Sequence, residues 1–519
     1  AAIRNSRNQG IPRRESHGRR LSTLPVTNSP RPSAYGWLAI DRRGTMPVVV
    51  PFLEVVPMRC PLLLILAVVA CSQQGMAAKP LAIGSRLEPL VDRFLVDSFS
   101  GDAAQVMHRP AAKEVVLVTG KPWEGNTSAY YTVFRDGDIF RMYYRGSHAD
   151  PKMKRTHREV TCYAESRDGI HWTKPELGLF DFKGSRKNNI VWDGIGTHCF
   201  AAFKDTNPKC PPKARYKAIS AGRSQDKRGL YIFQSPDAIH WKLMADGPVI
   251  TRGAFDSQNL AFFDPHVGLY RAYHRIFIGG VRAIMTETSR DYRSWTEPVL
   301  LKYPKGTPNE HLYTNTVRNY PGAEHILLGF PTRYLPKEGS RVEPVMMTSR
   351  DGVNFRRWTK AVVPETAPKD RGGNRSNYMT WGVLELPGRP GEFSVFATEA
   401  YYEGPDSRVR RFVYRKDGLV SVRAGRGGLT TRALTFKGRQ LVINHRARSR
   451  SGSIRVELLD DEGNPIDGFE ASDCVPLAGD HLASRVAWKG QRDLARLSGM
   501  PIQLRFVIRD AELFSLRFQ

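Results

Sequence analysis

The chain is poor in cysteine, with six among 519 residues and no pair at zinc-ligand spacing. Length and count together exclude a small disulfide-stapled scaffold. Long apolar runs are also missing. The one run of note, Pro61 to Ala70 (PLLLILAVVA), is too short to cross a bilayer, which excludes a polytopic membrane protein and any transmembrane span. No segment sustains a 3.6-residue period, so strands are expected rather than helices. Acidic residues are scarce as well: 51 against 78 Lys and Arg, a net charge of +27. Residues 1–78 hold ten of the basic and three of the acidic residues, which leaves +20 for the remainder. Such a charge favours polyanionic partners, an acidic polysaccharide among them. The basic residues are dispersed through strands and turns without a recognisable binding module, which argues against nucleic acid.

What is present begins with that apolar run. Preceded by Met58-Arg59 and followed by small residues through Ala77-Ala78, it reads as the core of a signal peptide over 58–78. Residues 1–57 are then an upstream extension without structural periodicity. Val68-Val69-Ala70-Cys71 also fits a lipoprotein box, with a lipid anchor at Cys71. Both readings imply export, to a periplasm or to the outside. Cys199 and Cys210 bracket a Pro-rich loop and could pair in an oxidising compartment.

A short phrase then recurs four times: Ser166-Arg167-Asp168-Gly169-Ile170-His171-Trp172, Ser235 to Trp241, Ser289 to Trp295 and Ser349 to Phe355. The copies start 69, 54 and 60 residues apart, and a degenerate fifth, Tyr414 to Gly418, follows. Each copy ends a unit of short aromatic-rich strands. Units of this size predict an all-β five-bladed propeller over 79–427. Within the phrase, Asp can bond backbone N–H groups, Gly accepts positive φ and Trp fills space between sheets, so its role is structural. An early strand is expected at Arg93–Val96. After the Gly-rich stretch Gly425 to Gly428, further alternating runs predict a β-sandwich over 428–519.

In a propeller the first strand of each blade lines the central funnel, so polar residues that lead into those strands are the candidates for function. They are Trp123-Glu124-Gly125-Asn126, His198, Asp256 to Asn259, Asn309-Glu310-His311 and Asn374 to Tyr378. Three carboxylates, Glu124, Asp256 and Glu310, would converge on one mouth. Paired carboxylates hydrolyse a glycosidic bond, one donating a proton and one attacking or activating water. Trp123, Asn126, His198, Asn259, His311 and Arg333 are the expected substrate-binding residues around them.

This arrangement resembles the five-bladed glycoside hydrolases of families 32, 43 and 68, the invertase, levansucrase and arabinanase group. By position, the resemblance implies that Glu124 is the nucleophile or base, Asp256 the second carboxylate and Glu310 the acid. Glu replaces the usual first Asp, Phe255 the usual Arg and His311 the usual Cys, which points to a divergent branch of secreted bacterial proteins. The implied substrate is an oligo- or polysaccharide. No cofactor is implied, although His198 and His311 could contribute to a structural metal at the axis, as in some family 43 members. The alternative is a propeller that binds carbohydrate without catalysis. A third reading, a sialidase, follows from the likeness of the phrase to the Asp-box, but sialidases need six blades.

Overall fold

In the computed structural model of the chain, residues 79–367, 378–490 and 493–519 are described. The expected upstream extension and signal peptide, and the lead-in Asn374 to Asn377, lie outside them. Among the described residues there is no α-helix, only two 3-10 turns at Pro212–Ala214 and Ala495–Leu497. No helix is long and apolar enough to cross a membrane.

The repeated phrase folds the same way each time. Asp168 Oδ1 accepts from the backbone N–H groups of Ile170 and His171 at 2.9 and 2.8 Å. Asp237, Asp291 and Asp351 do the same two and three residues ahead of themselves. The preceding serine hydroxyl, Ser166 in the first copy, accepts from the N–H three residues on. That N–H belongs to the residue with positive φ: Gly169 and Gly352, but also Ala238 and Tyr292. Side-chain bonds to the turn backbone therefore hold a left-handed residue even where it is not glycine.

Each turn joins the third and fourth strands of a blade. Blade 1 is Ala129–Asp136, Ile139–Gly146, Val160–Ser166 and Ile190–Trp192. Blade 2 is Ala201–Lys204, Tyr216–Ser224, Lys227–Ser235 and Lys242–Leu243. Blade 3 runs Leu260–Asp264, Leu269–Ile278, Val281–Ser289 and Val299–Leu300. Blade 4 uses Arg318–Tyr320, Ala323–Gly329, Met347–Ser349 and Phe355–Arg357. It also carries an inserted hairpin, Thr332–Leu335 and Arg341–Pro344, that pairs with His311–Leu312.

Blade 5 is built from both directions of the chain. Met379 and Leu384 bridge Glu392–Glu399, which pairs with Arg408–Arg415. The outermost strand is Ala111–Val118, drawn from before blade 1. The ring is thus closed by an N-terminal strand on a C-terminal blade, and all five expected blades are present.

The β-sandwich is also composite. Val420–Thr431, Leu441–Ala447, Ser453–Leu459, Asp480–Arg485 and the long strand Gln503–Phe518 share a sheet with Glu88–Pro89, Val96–Gly101 and Ala104–Met107. Residue 427 falls inside one of these strands, Val420–Thr431. Segment 81–107, placed in the propeller by sequence, hydrogen-bonds to sandwich strands. Ion pairs fasten it: Arg350 of the fourth phrase bonds Glu88 at 2.9 Å and Asp92 at 2.7 Å.

The expected disulfide does not form. Cys199 is buried among Ser220 and Asn259, while Cys210 meets Lys217 Nζ at 3.0 Å, and all four described cysteines are free.

Candidate active site at the mouth of the propeller

The inner strands run in one direction, so their lead-in residues gather at one end of the axis. The same end receives the turn between the second and third strands of each blade. One cluster there is built from three blades around His198.

His198 leads into blade 2. Its Nε2 lies 2.9 Å from Asp256 Oδ1, at the start of blade 3, and its Nδ1 lies 3.0 Å from Glu159 Oε2 in blade 1. Arg145, at the end of the strand Ile139–Gly146, reaches both Glu159 (3.4 Å) and His198 Nδ1 (3.2 Å). Its other nitrogen donates to the Tyr401 hydroxyl at 2.9 Å and to Thr127 O at 2.7 Å. Arg275 of blade 3 stands 3.8 Å from Asp256 Oδ2. Aromatic faces complete the wall: the Arg145 guanidinium lies over Tyr130, and those of Arg275 and Arg282 over Tyr313. Tyr130 itself has φ +59, at a bulge between Ala129 and Thr132. A bulky residue in that conformation costs of order 1–3 kcal/mol and marks a place the surrounding structure over-determines.

The two carboxyls differ in exposure but not in charge. Asp256 keeps 62% of its side chain open, and Glu159 10%. The His198 hydrogen bond holds the Asp256 carboxyl down at about 2, against a smaller opposing effect of burial. Burial pushes Glu159 upward, yet His198, Arg145 and Arg155 together hold it at about 2. The two carboxylates flank one imidazole, where a pair of carboxyls could act together. Both are held ionised, however, so between them they supply a base or nucleophile and no acid. They also sit on opposite edges of the ring and do not converge on a point. Among the described residues no group of three His, Cys, Asp or Glu could hold a metal.

The other carboxylates named from sequence are closed by cations. Glu124 has no exposed side-chain surface. It accepts from the Tyr144 hydroxyl and Lys174 Nζ, both at 2.6 Å, and from Lys121 N at 3.0 Å. Glu310 is gripped by Arg333 at 3.0 Å and by Arg357, and opens onto a small cavity of about 320 Å³. Arg333 also pairs with Glu343, so both of its Nη groups are engaged across the inserted hairpin.

The remaining candidates have structural partners. Trp123 donates its indole N–H to Asn189 Oδ1 at 2.6 Å and packs edge-on against Phe182. Asn126 exchanges two bonds with the backbone of Ala149, fixing the turn after blade 1's second strand. Buried Asn259 donates to Phe255 O and Ser257 O. His311 accepts from Arg282 N at 3.3 Å, and burial together with the Arg282 charge lowers its pKa.

Sequence reasoning passed over Glu159, Arg145 and Arg275. A signal for the arginines was there. Arg141-Met142-Tyr143-Tyr144-Arg145 in blade 1 is matched by Arg271-Ala272-Tyr273-His274-Arg275 in blade 3. On a strand, positions i, i+2 and i+4 share one face. The first arginines bond Asp136 and Asp264, both at 2.7 Å. Each tyrosine hydroxyl donates to the phrase of the next blade, at Ala238 O and Gly352 O. The last arginines reach the mouth.

No family model and no curated protein matches the chain. Solved structures do match, at low identity. A protein described as a glycoside hydrolase is 13% identical, with 59% of this chain and 92% of that one covered and a TM-score of 0.42. A β-1,2-mannobiose phosphorylase from Listeria innocua is 14% identical over 60% and 97%, with a TM-score of 0.41. A GH32 β-fructofuranosidase of Bombyx mori is 9% identical over 80% and 94%, with a TM-score of 0.39.

Proposed function

We propose that this protein is an exported glycoside hydrolase-like enzyme acting on an oligo- or polysaccharide at the mouth built around His198. One observation carries the reading. Of the three lead-in carboxylates, Asp256 is the most open to solvent, 62% of its side chain against 20% for Glu310 and none for Glu124, and its neighbours hold it ionised. An ionised carboxylate open to solvent beside guanidinium groups suits a sugar, whose hydroxyls donate to Asp256. Asp256 then attacks the anomeric carbon or takes the proton from an attacking water, as the glycosidic C–O bond breaks and the leaving oxygen takes its proton from solvent water. The basic mouth favours a substrate with acidic sugars.

A second reading, carbohydrate binding without cleavage, is favoured by one observation. Glu124 and Glu310, the other two carboxylates an acid/base pair would draw on, are both engaged by cations. A glycan panel tested with the unmodified protein and with Asp256→Asn separates the two. Hydrolysis lost in the variant with binding kept supports the enzyme. Binding by both proteins and turnover by neither supports the binding module.

A further inference from the structure

The far end of the axis holds a second cavity, of about 680 Å³, lined by inner strands of all five blades. Its lining residues lie toward the C-terminal ends of those strands: Phe134, Phe203, Phe262, Arg318 and Trp381 among them. It is therefore distinct from the mouth, which the lead-ins build. Six of its twenty lining residues are aromatic. Two cations at its edge are exposed to solvent: Lys204 pairs with Asp136 at 2.9 Å, and Arg135 donates from Nε to Gly137 O at 2.9 Å and makes no ion pair among the described residues. Of its two carboxylates, Glu385 pairs with Lys416 at 2.6 Å and Glu324 is exposed.

Arg318 is the exception. Among the described residues it makes no ion pair, and its one hydrogen bond is a long donation from Nε to Asn319 O, 3.4 Å. The fork of Nη donors is left over, enclosed by protein yet partly accessible from the cavity. Enclosure without a counter-charge draws its pKa down to about 10. An uncompensated guanidinium inside a fold is costly, and a bound anion removes the cost.

We propose that this cavity is a binding site for a monocarboxylate carried on a ring, the carboxylate taken bidentately by Arg318 and the ring by the aromatic walls. A single planar fork matches a carboxylate of charge −1 in geometry and in charge. A phosphate dianion would need a second cation beside that fork, whereas Arg135, the other lining cation without an ion pair, is exposed at the edge. A cavity of this volume is of the size that encloses small organic ligands. The proposal is independent of any chemistry at the mouth.

Benzoate, benzamide and inorganic phosphate are the probes, with Trp381 as the local fluorescence reporter. Titration of the unmodified protein is expected to show saturable benzoate binding, benzamide at least tenfold weaker, and no competition by phosphate. Trp381→Phe should silence the signal, and R318M should erase the preference for benzoate over benzamide. Absence of saturable benzoate binding overturns the site. A preference unchanged in R318M, a signal unchanged in Trp381→Phe, or phosphate binding tighter than benzoate overturns it equally. Should R318M fail to fold, the benzoate-to-benzamide ratio of the unmodified protein decides alone.

Discussion

Asp256 Oδ1 and His198 Nε2 meet at 2.9 Å across the seam between blades 2 and 3, and this contact sets the charge of the mouth. With its carboxyl held at about 2, Asp256 is ionised at every pH above that value. If it is the base or nucleophile, it does not limit kcat/KM between pH 3 and 8. His198→Ala removes the hydrogen bond, and the carboxyl should return toward its ordinary value of 3.8. The acid limb of kcat/KM then moves up by one to two pH units. A limb that stays in place shows that the contact does not control the reacting carboxylate.

Glu124 predicts a different kind of effect. Its carboxylate is fully buried and Lys174 is its one cationic partner among the described residues. Removing one member of such a pair costs about 3–5 kcal/mol, because the survivor is left buried and uncompensated. Lys174→Met should lower the urea midpoint accordingly and leave glycan binding by the folded fraction unchanged. Loss of binding at full stability would put Glu124 back in the site.

The seam between blades 1 and 2 depends on the second phrase. Trp241 packs edge-on against Tyr143 and Phe200, and the Tyr143 hydroxyl donates to Ala238 O at 2.6 Å. Trp241→Ala should cost about 3–5 kcal/mol through cavity formation. Tyr143→Phe should cost about 1–3 kcal/mol, since a buried carbonyl loses its donor. Equilibrium unfolding of the two variants checks the order.

Acid should loosen the attachment of the N-terminal segment to the propeller. Burial raises the Glu88 carboxyl, but His325 and Arg350 overcome it and hold it near 2, against 4.5 when unpaired. A depressed carboxyl stabilises the fold above its unfolded value and loses that contribution as pH falls toward its folded one. The contribution, about 3 kcal/mol by the linkage relation, should fade between pH 5 and 2. Thermal melts of Glu88→Gln should show a weaker dependence on pH over that window than the unmodified protein.

Blade count was legible because the phrase is self-contained. Asp168 and its counterparts bond backbone two and three residues away, so the pattern survives in a linear reading. The mouth was legible only in part. His198 and Asp256, named from their place before a strand, meet at one end of the axis, whereas Glu124 occupies an equivalent place and is sealed by Lys174, fifty residues on. Nothing local distinguishes a lead-in carboxylate that faces solvent from one that faces a lysine. The early strand expected at Arg93–Val96 begins only at Val96 and runs to Gly101, displaced for a similar reason. Its partner, Val420–Thr431, lies some three hundred residues downstream, and pairing at that distance leaves no local signature.

The same long-range pairing governs how this chain can be made. Ala111–Val118 finds its place only on Arg408–Arg415, and the strands before it only on sheet strands that come later still. At about 5–20 residues per second, ribosomal synthesis leaves these edges unmatched for some tens of seconds. Blades 1 to 4 can assemble while the ring is open, but closure must wait for the end of translation. During that interval the exposed strand edges are templates for pairing with other chains. Truncation anywhere after blade 4 should therefore yield insoluble protein rather than a smaller folded domain.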